Sequence, residues 1–95
     1  MIFAPEAERD IIEAYGWYEQ RRFGLGEEFL SCVDASIQSI YRMPEMDGIV
    51  HEKYRRCLVR RFPYSIFYEF TNNIITVYSV FHNSRDPQKW QEKPS

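Results

Sequence analysis

The segment "RRFPYSIFYEF", Arg60 to Phe70, sets two adjacent arginines before an aromatic, a proline, and then a run of large apolar residues. Pro63 has no N–H to donate to a ladder, so it suits a strand start and not a central position. "RRF" therefore reads as a hairpin bend with its arginines in solvent, and "YSIFYEF" as a core strand. Working outward, "TNN" (Thr71 to Asn73) follows. Asn tolerates the left-handed angles of a type I′ turn, so Asn72 and Asn73 predict a tight hairpin with Thr71 opposite Ile74. That register places Tyr68 opposite Val77, Ile66 opposite Ser79 and Tyr64 opposite Phe81 on one sheet side. Phe67 with Tyr78, Ser65 with Val80, and Pro63 with His82 fall on the other.

Strands are expected over Tyr54 to Val59, Tyr64 to Phe70 and Ile74 to His82. Upstream the period is helical. Ala7, Ile11, Ala14, Tyr15 and Tyr18 recur at three- and four-residue spacing and predict a helix from Pro5 to Arg22, with Pro5 at its first position and Glu6 and Glu8 favouring its dipole. Gly24 is placed for a left-handed cap. A second helix from Glu27 to Met43 follows on Phe29, Val33, Ile37, Ile40 and Tyr41 and stops at Pro44. The short connection forces an antiparallel pair. "MIF" has room only for a short first strand, and Asp86–Pro87 reads as the N-cap and first position of a short closing helix.

The expected fold is thus α+β, in one domain spanning 1–95: an N-terminal antiparallel helix hairpin packed on a small, mainly antiparallel twisted sheet. Its parts are a start at 1–4, helices over 5–43, sheet over 49–83 and a C-terminal segment over 84–95. Tyr15, Tyr18, Phe29, Val33, Ile37, Ile66, Tyr68, Val77 and Phe81 form the expected core. The sheet side carrying Phe67 and Tyr78 is expected to stand open.

Composition limits the function classes. The chain has 95 residues, 44% of them hydrophobic and 17% aromatic, and a formal charge of −2. An acidic total disfavours a plain nucleic-acid-binding module, because neutralising phosphates needs a concentrated cationic face. Basic function has to be local, in Lys53, Arg55, Arg56, Arg60 and Arg61. Cys32 and Cys57 show no zinc-ligand spacing and no disulfide framework, so no metal and no cofactor is expected. No signal peptide or membrane span is legible, and the chain reads as cytoplasmic.

Four segments in order, "AERDIIEAYGWYE", "GLGEEFL", "RRFPYSIFY" and "VFHNSRDPQKW", resemble the RelE/ParE superfamily of type II toxin–antitoxin toxins, also described as plasmid stabilisation proteins. The similarity covers Ala4 to Trp90. It implies an antitoxin partner and one of two targets: mRNA cut on the ribosome in the RelE-like branch, or DNA gyrase in the ParE-like branch. A metal-independent endoribonuclease needs cations beside the phosphate and a proton donor for the leaving oxygen. Where ribonuclease members carry Arg in a "YRxxY" pattern, this chain has Ser65; where they place a second cation after His or Lys, it has Asn83. Trp90 replaces a C-terminal Tyr and lacks its hydroxyl. The ribonuclease set would be His82, Arg85, Arg61 and Lys53, with Glu69 in addition.

That depletion favours the ParE-like branch, which inhibits gyrase by binding. The expected target-binding residues are Arg60, Arg61, His82, Arg85 and Trp90, and the expected antitoxin-binding residues Phe67 and Tyr78. A toxin fold that binds its partner but has lost its target is the third reading.

Overall fold

The computed structural model of the chain describes residues 1–84. Two helices precede most of a five-stranded sheet, in the chain order β1 (Ile2–Phe3), α1 (Pro5–Arg21), α2 (Leu25–Arg42), β2 (Ile49–His51), β3 (Tyr54–Leu58), β4 (Tyr64–Thr71) and β5 (Ile74–His82). The spatial order is β1-β5-β4-β3-β2. Every pairing is antiparallel except the two-residue parallel contact of β1 with β5. The helix and strand ends differ from the expected ones by at most two residues. The short edge strand β2 was not anticipated.

The helix pair is joined by a carboxylate. Glu19, on the last turn of α1, accepts the Gly24 N–H at 3.0 Å and the Gly26 N–H at 2.9 Å. Both donors belong to the first turn of α2, where helix N–H groups lack intrahelical partners and the dipole favours negative charge. Gly24 has φ +88 and serves as the N-cap of α2, not as the cap of α1, whose own C-cap is Arg22. Gly26 is required for a different reason. A Cβ there would lie 2.8 Å from the Tyr15 ring and from Glu19 Oε1.

An aromatic knot fastens this pair to the sheet. Tyr18 of α1 lies 5.3 Å from Phe29 of α2, Phe29 lies 5.1 Å from Tyr64 of β4, and Phe62 stands 4.9 Å from Tyr18. The "RRF" bend thus turns Phe62 inward while Arg60 and Arg61 remain exposed. Arg61 takes φ +72 to make that turn. Asn72 and Asn73, at φ 55 and 62, make the expected tight hairpin, with Thr71 opposite Ile74.

The register departs from strict alternation at one point. Tyr68 pairs with Val77 as expected, but Phe67 pairs with Ser79, so Tyr78 is an extra residue: a β-bulge. Beyond it every facing reverses. Val80, expected on the open side, enters the core under the helices with Ile66, Tyr68 and Val77. Phe81, expected under the helices, is buried on the other side with Tyr54 and Phe67. Pro63, expected opposite His82, lies before the strand, and Tyr64 takes that position. Of the expected core, Tyr15 and Ile37 are only half-buried.

Just past the bulge, Asp10 of α1 accepts the Val80 N–H at 3.0 Å, so a β5 backbone donor beyond the reach of the two-residue β1 is satisfied from the helix layer. Ser79, fully buried beside it, is less well served: its Oγ is the one buried side-chain polar atom without a hydrogen-bond partner among the described residues. The two residues predict stability changes of opposite sign. Asp10→Ala strands a buried N–H and should cost about 1–3 kcal/mol. Ser79→Ala removes an unsatisfied hydroxyl and should raise the urea midpoint. Both changes should leave the m-value unaltered.

Candidate functional site

On the sheet side away from the helices, alternation along β3 and β4 aims Tyr54 and Arg56 and then Ser65, Phe67 and Glu69 outward from the main core. Tyr54 pairs with Glu69 and Arg56 with Phe67. The bulged β5 adds Phe81 at one end and Tyr78 at the other. This side has two polar ends separated by an aromatic centre.

The centre is closed. Phe67 is fully buried and stacked on Tyr54 at 5.3 Å, while Tyr78 meets the Tyr54 ring edge-on at 5.4 Å. The expected open platform of Phe67 and Tyr78 is therefore corrected. Tyr78 is half-buried, and Phe67 presents no surface. The bulge is the physical reason, because it brings Phe81 to this side to complete a second small core.

At the bend end, Arg56 reaches across from β3. Its Nε donates to Ser65 Oγ at 2.9 Å and its Nη2 to Asn83 Oδ1 at 3.3 Å, while Ser65 Oγ donates to Asn83 Oδ1 at 2.6 Å. Ser65 and Asn83 are the two positions at which a cation was expected to be missing. A guanidinium comes to both from the neighbouring strand. Sequence reading placed Arg56 only within the basic cluster; the pairing of β3 with β4, diagonal to Ser65, was the signal that could have found it. His82 stands next in line, opposite Tyr64, with its ring 5.2 Å from the Tyr64 ring. Its Nδ1 accepts the Ser84 N–H at 3.0 Å, which leaves Nε2 as the protonated nitrogen of the neutral ring.

At the opposite end Glu69 is a nearly buried carboxylate. Tyr78 donates its hydroxyl to Glu69 at 2.6 Å, and Lys53 Nζ lies 3.8 Å away. Burial pushes the Glu69 pKa up, but the Tyr78 and Thr71 hydrogen bonds and the Lys53 charge outweigh it, and the net shift is downward. The Tyr78 hydroxyl is pushed up to about 12, by burial and then by Glu69. The pair is a locked carboxylate and phenol.

The expected ribonuclease residues are not brought together. Lys53 lies beside Tyr54 and Glu69, whereas His82 pairs with Tyr64, five residues along β4. At 3.3–3.4 Å per residue that is roughly 17 Å. Arg61 belongs to a third place, where its Nη2 meets Glu28 Oε1 of α2 at 3.2 Å, with Arg22 on the same carboxylate. Arg60 is exposed at the bend. Arg85 and Trp90 lie outside the described residues, as do the expected cap at Asp86–Pro87 and any pairing of Arg85. Arg55, from the same basic cluster, is structural: it donates to the carbonyls of Glu45 and Asp47 at 3.2 and 2.6 Å and ties down the connection between α2 and β2. Among the described residues no three His, Cys, Asp or Glu side chains are grouped to hold a metal ion, and no helix is long and apolar enough to cross a membrane.

The model of the ParE toxin family of type II toxin–antitoxin systems matches residues 1–87. A solved structure titled as the chromosomal ParDE system from P. aeruginosa superposes with a TM-score of 0.64 at 14% identity, covering 84% of this chain and 90% of that one. At that identity the likeness is one of fold. No curated protein matches the sequence.

The Glu69 site gives a pH-dependent prediction. A carboxylate whose folded pKa is depressed stabilises the fold above its unfolded value, near 4.5, and that contribution is lost as pH falls through the folded value. Tyr78→Phe removes its strongest donor and should cost about 1.5–3 kcal/mol at pH 7. The difference from the unaltered chain should shrink as pH falls through the depressed folded value and Glu69 protonates in both. Urea midpoints measured from pH 7 to 3 read this directly.

Proposed function

The chain belongs to the ParE toxin family of type II toxin–antitoxin systems, and from that premise we propose that it arrests growth by binding DNA gyrase, and that a cognate antitoxin protein neutralises it. The observation that carries the reading is the dispersal of the cleavage groups. Phosphodiester cleavage needs cation, base and acid within hydrogen-bond reach of one phosphate. Lys53, Arg61 and His82 occupy three separate places, and roughly 17 Å along β4 divides the Glu69 end from the His82 end. The Glu69 carboxylate is also engaged by Tyr78. Inhibition by binding needs none of this convergence, only a shaped surface with local positive charge.

One observation favours the RelE-like alternative, a ribosome-dependent endoribonuclease. Arg56 delivers a guanidinium to Ser65 and Asn83, next to His82. Positive charge at that end is therefore present, delivered from β3. The third reading, a toxin fold with partner binding intact and no target, differs from both in leaving growth unaffected on induction.

The branch is decided with purified protein. It is expected to impair gyrase supercoiling or trap the cleaved DNA complex. Arg85→Ala combined with Trp90→Ala should weaken this about tenfold or more, with an unchanged circular-dichroism spectrum. Cleaved mRNA in translating ribosomes, abolished by His82→Ala or Arg56→Ala, would transfer the chain to the ribonuclease branch.

A further inference from the structure

Away from the sheet side described above, a cavity of about 510 Å³ opens between α2 and the end of β3 with its following bend. It exists because the helix layer is displaced: α1 runs along β5, while α2 meets β3 only marginally. The volume falls within the range of small-molecule sites. On the helix side Ser31, Ala35 and Ser39 stand at i, i+4 and i+8, and none of them is long enough to fill the space.

The charge of the lining is one-sided. The whole chain carries 14 Asp and Glu against 12 Lys and Arg. Among the described residues, however, the cavity is lined by Arg42, Arg60 and Arg61 and by no carboxylate. Arg61 shares Glu28 with Arg22 in a solvent-exposed cluster, whereas Arg42 and Arg60 have no ion pair among the described residues. The floor does not oppose an anion either. The Cys57 thiol there is pushed up to about 11, by burial and then by Asp47, so it stays protonated and neutral near pH 7. Asp47 itself does not line the cavity, and its carboxylate accepts the Tyr68 hydroxyl at 3.0 Å. A concave site with cations of one sign and low-dielectric walls concentrates a small anion.

We propose that this α2–β3 cavity binds a small phosphate monoester, held at its phosphate by Arg42 and Arg60. The planar guanidinium fork matches the spacing of phosphate oxygens and grips two of them at once. The rest of the ligand lies against α2, where the Ser31 and Ser39 hydroxyls both donate and accept hydrogen bonds and therefore suit a polyol. Among the described residues no aromatic side chain lines the cavity, so no ring is offered for a nucleobase to stack on. A sugar phosphate fits these walls better than a nucleotide. The site is independent of the choice between gyrase and ribosome.

The test titrates the full chain at low salt with ribose 5-phosphate, with ribose and a single-stranded oligonucleotide as controls, read by calorimetry and amide chemical shifts. Ribose 5-phosphate should bind saturably, and ribose at least about tenfold more weakly. Arg42→Ala with Arg60→Ala should weaken binding of the phosphate at least about tenfold. Ala35→Trp fills the cavity without altering charge and should weaken it to a similar extent at every salt concentration. Saturating ribose 5-phosphate should also slow maleimide labelling of Cys32, a half-buried residue of the same lining. Circular dichroism and urea melts confirm that each variant folds. The proposal is overturned by absence of saturable binding, by ribose binding as tightly as its phosphate, or by either variant binding within twofold of the unaltered chain. Preference for the oligonucleotide over the sugar phosphate, lost with the same two arginines, would assign the patch to nucleic acid and overturn it as well.

Discussion

One hydrogen bond ties the helix layer to the irregular point of the sheet: the Asp10 carboxylate accepting the N–H of Val80. β1 is only two residues long and pairs no further than Val77, and Val80 is almost fully buried, so neither a strand nor water serves its N–H. An unsatisfied buried N–H costs about 1–3 kcal/mol, comparable to a tenth or more of a small domain's total stability. Asp10 removes that cost from a distance of 70 residues in sequence. The bulge beside it reverses the facing of the strand. It turns Val80 toward the helices and Phe81 away from them, which builds a core on each side of the sheet.

Most of the architecture was legible before any coordinates. The helical spacing of Ala7, Ala14 and Tyr18 and of Phe29, Val33 and Ile40 identifies the buried stripes, and "TNN" fixes the hairpin from which β4 and β5 unzip. The bulge was not legible. "TVYSVFH" contains no Gly or Pro to mark it, and alternation alone assigns Phe81 to the wrong side. The Asp10 carboxylate that meets the strand just past it sits on an amphipathic helix, where an acidic residue reads as solvated surface. Everything inferred from the register past Tyr68 inherited that slip, including the open platform of Phe67 and Tyr78. The chemistry at the bend end is hidden for a related reason. In a linear pattern Ser65 and Asn83 stand without a cation, whereas the guanidinium beside them belongs to Arg56 and arrives through the pairing of β3 with β4.

The arginines show how an acidic chain divides its positive charge. Arg55 is committed to loop carbonyls, Arg56 to Ser65 and Asn83, and Arg61 to Glu28. These bonds orient the guanidinium groups and lower their freedom to follow a moving substrate. Lys53 is likewise placed near Glu69, although it remains largely exposed and its attraction there is weakened by solvent. A catalytic centre would converge such groups on one point. Here the described ones are distributed around the sheet, each supporting a different joint of the fold.

The same division explains why the groove lies where it does. Glu19 caps α2 from α1, and Gly26 lets the two helices approach closely at that end. The aromatic knot of Tyr18, Phe29, Phe62 and Tyr64 then seats the pair over β4 and the bend. Both constraints hold the hairpin by its connected end, where α1 finishes and α2 begins. Asp10 holds α1 again, over the bulge in β5. Among the described residues the opposite end of α2, toward Arg42, has no hydrogen bond or ion pair to β3, and Arg55 and Tyr68 instead anchor the chain that leaves it. A helix pair fixed to one half of a five-stranded sheet leaves the other half under-covered. The small residues Ser31, Ala35 and Ser39 of α2, with Arg42, Arg60 and Arg61, border that half, so the groove follows from the way the helices are fastened.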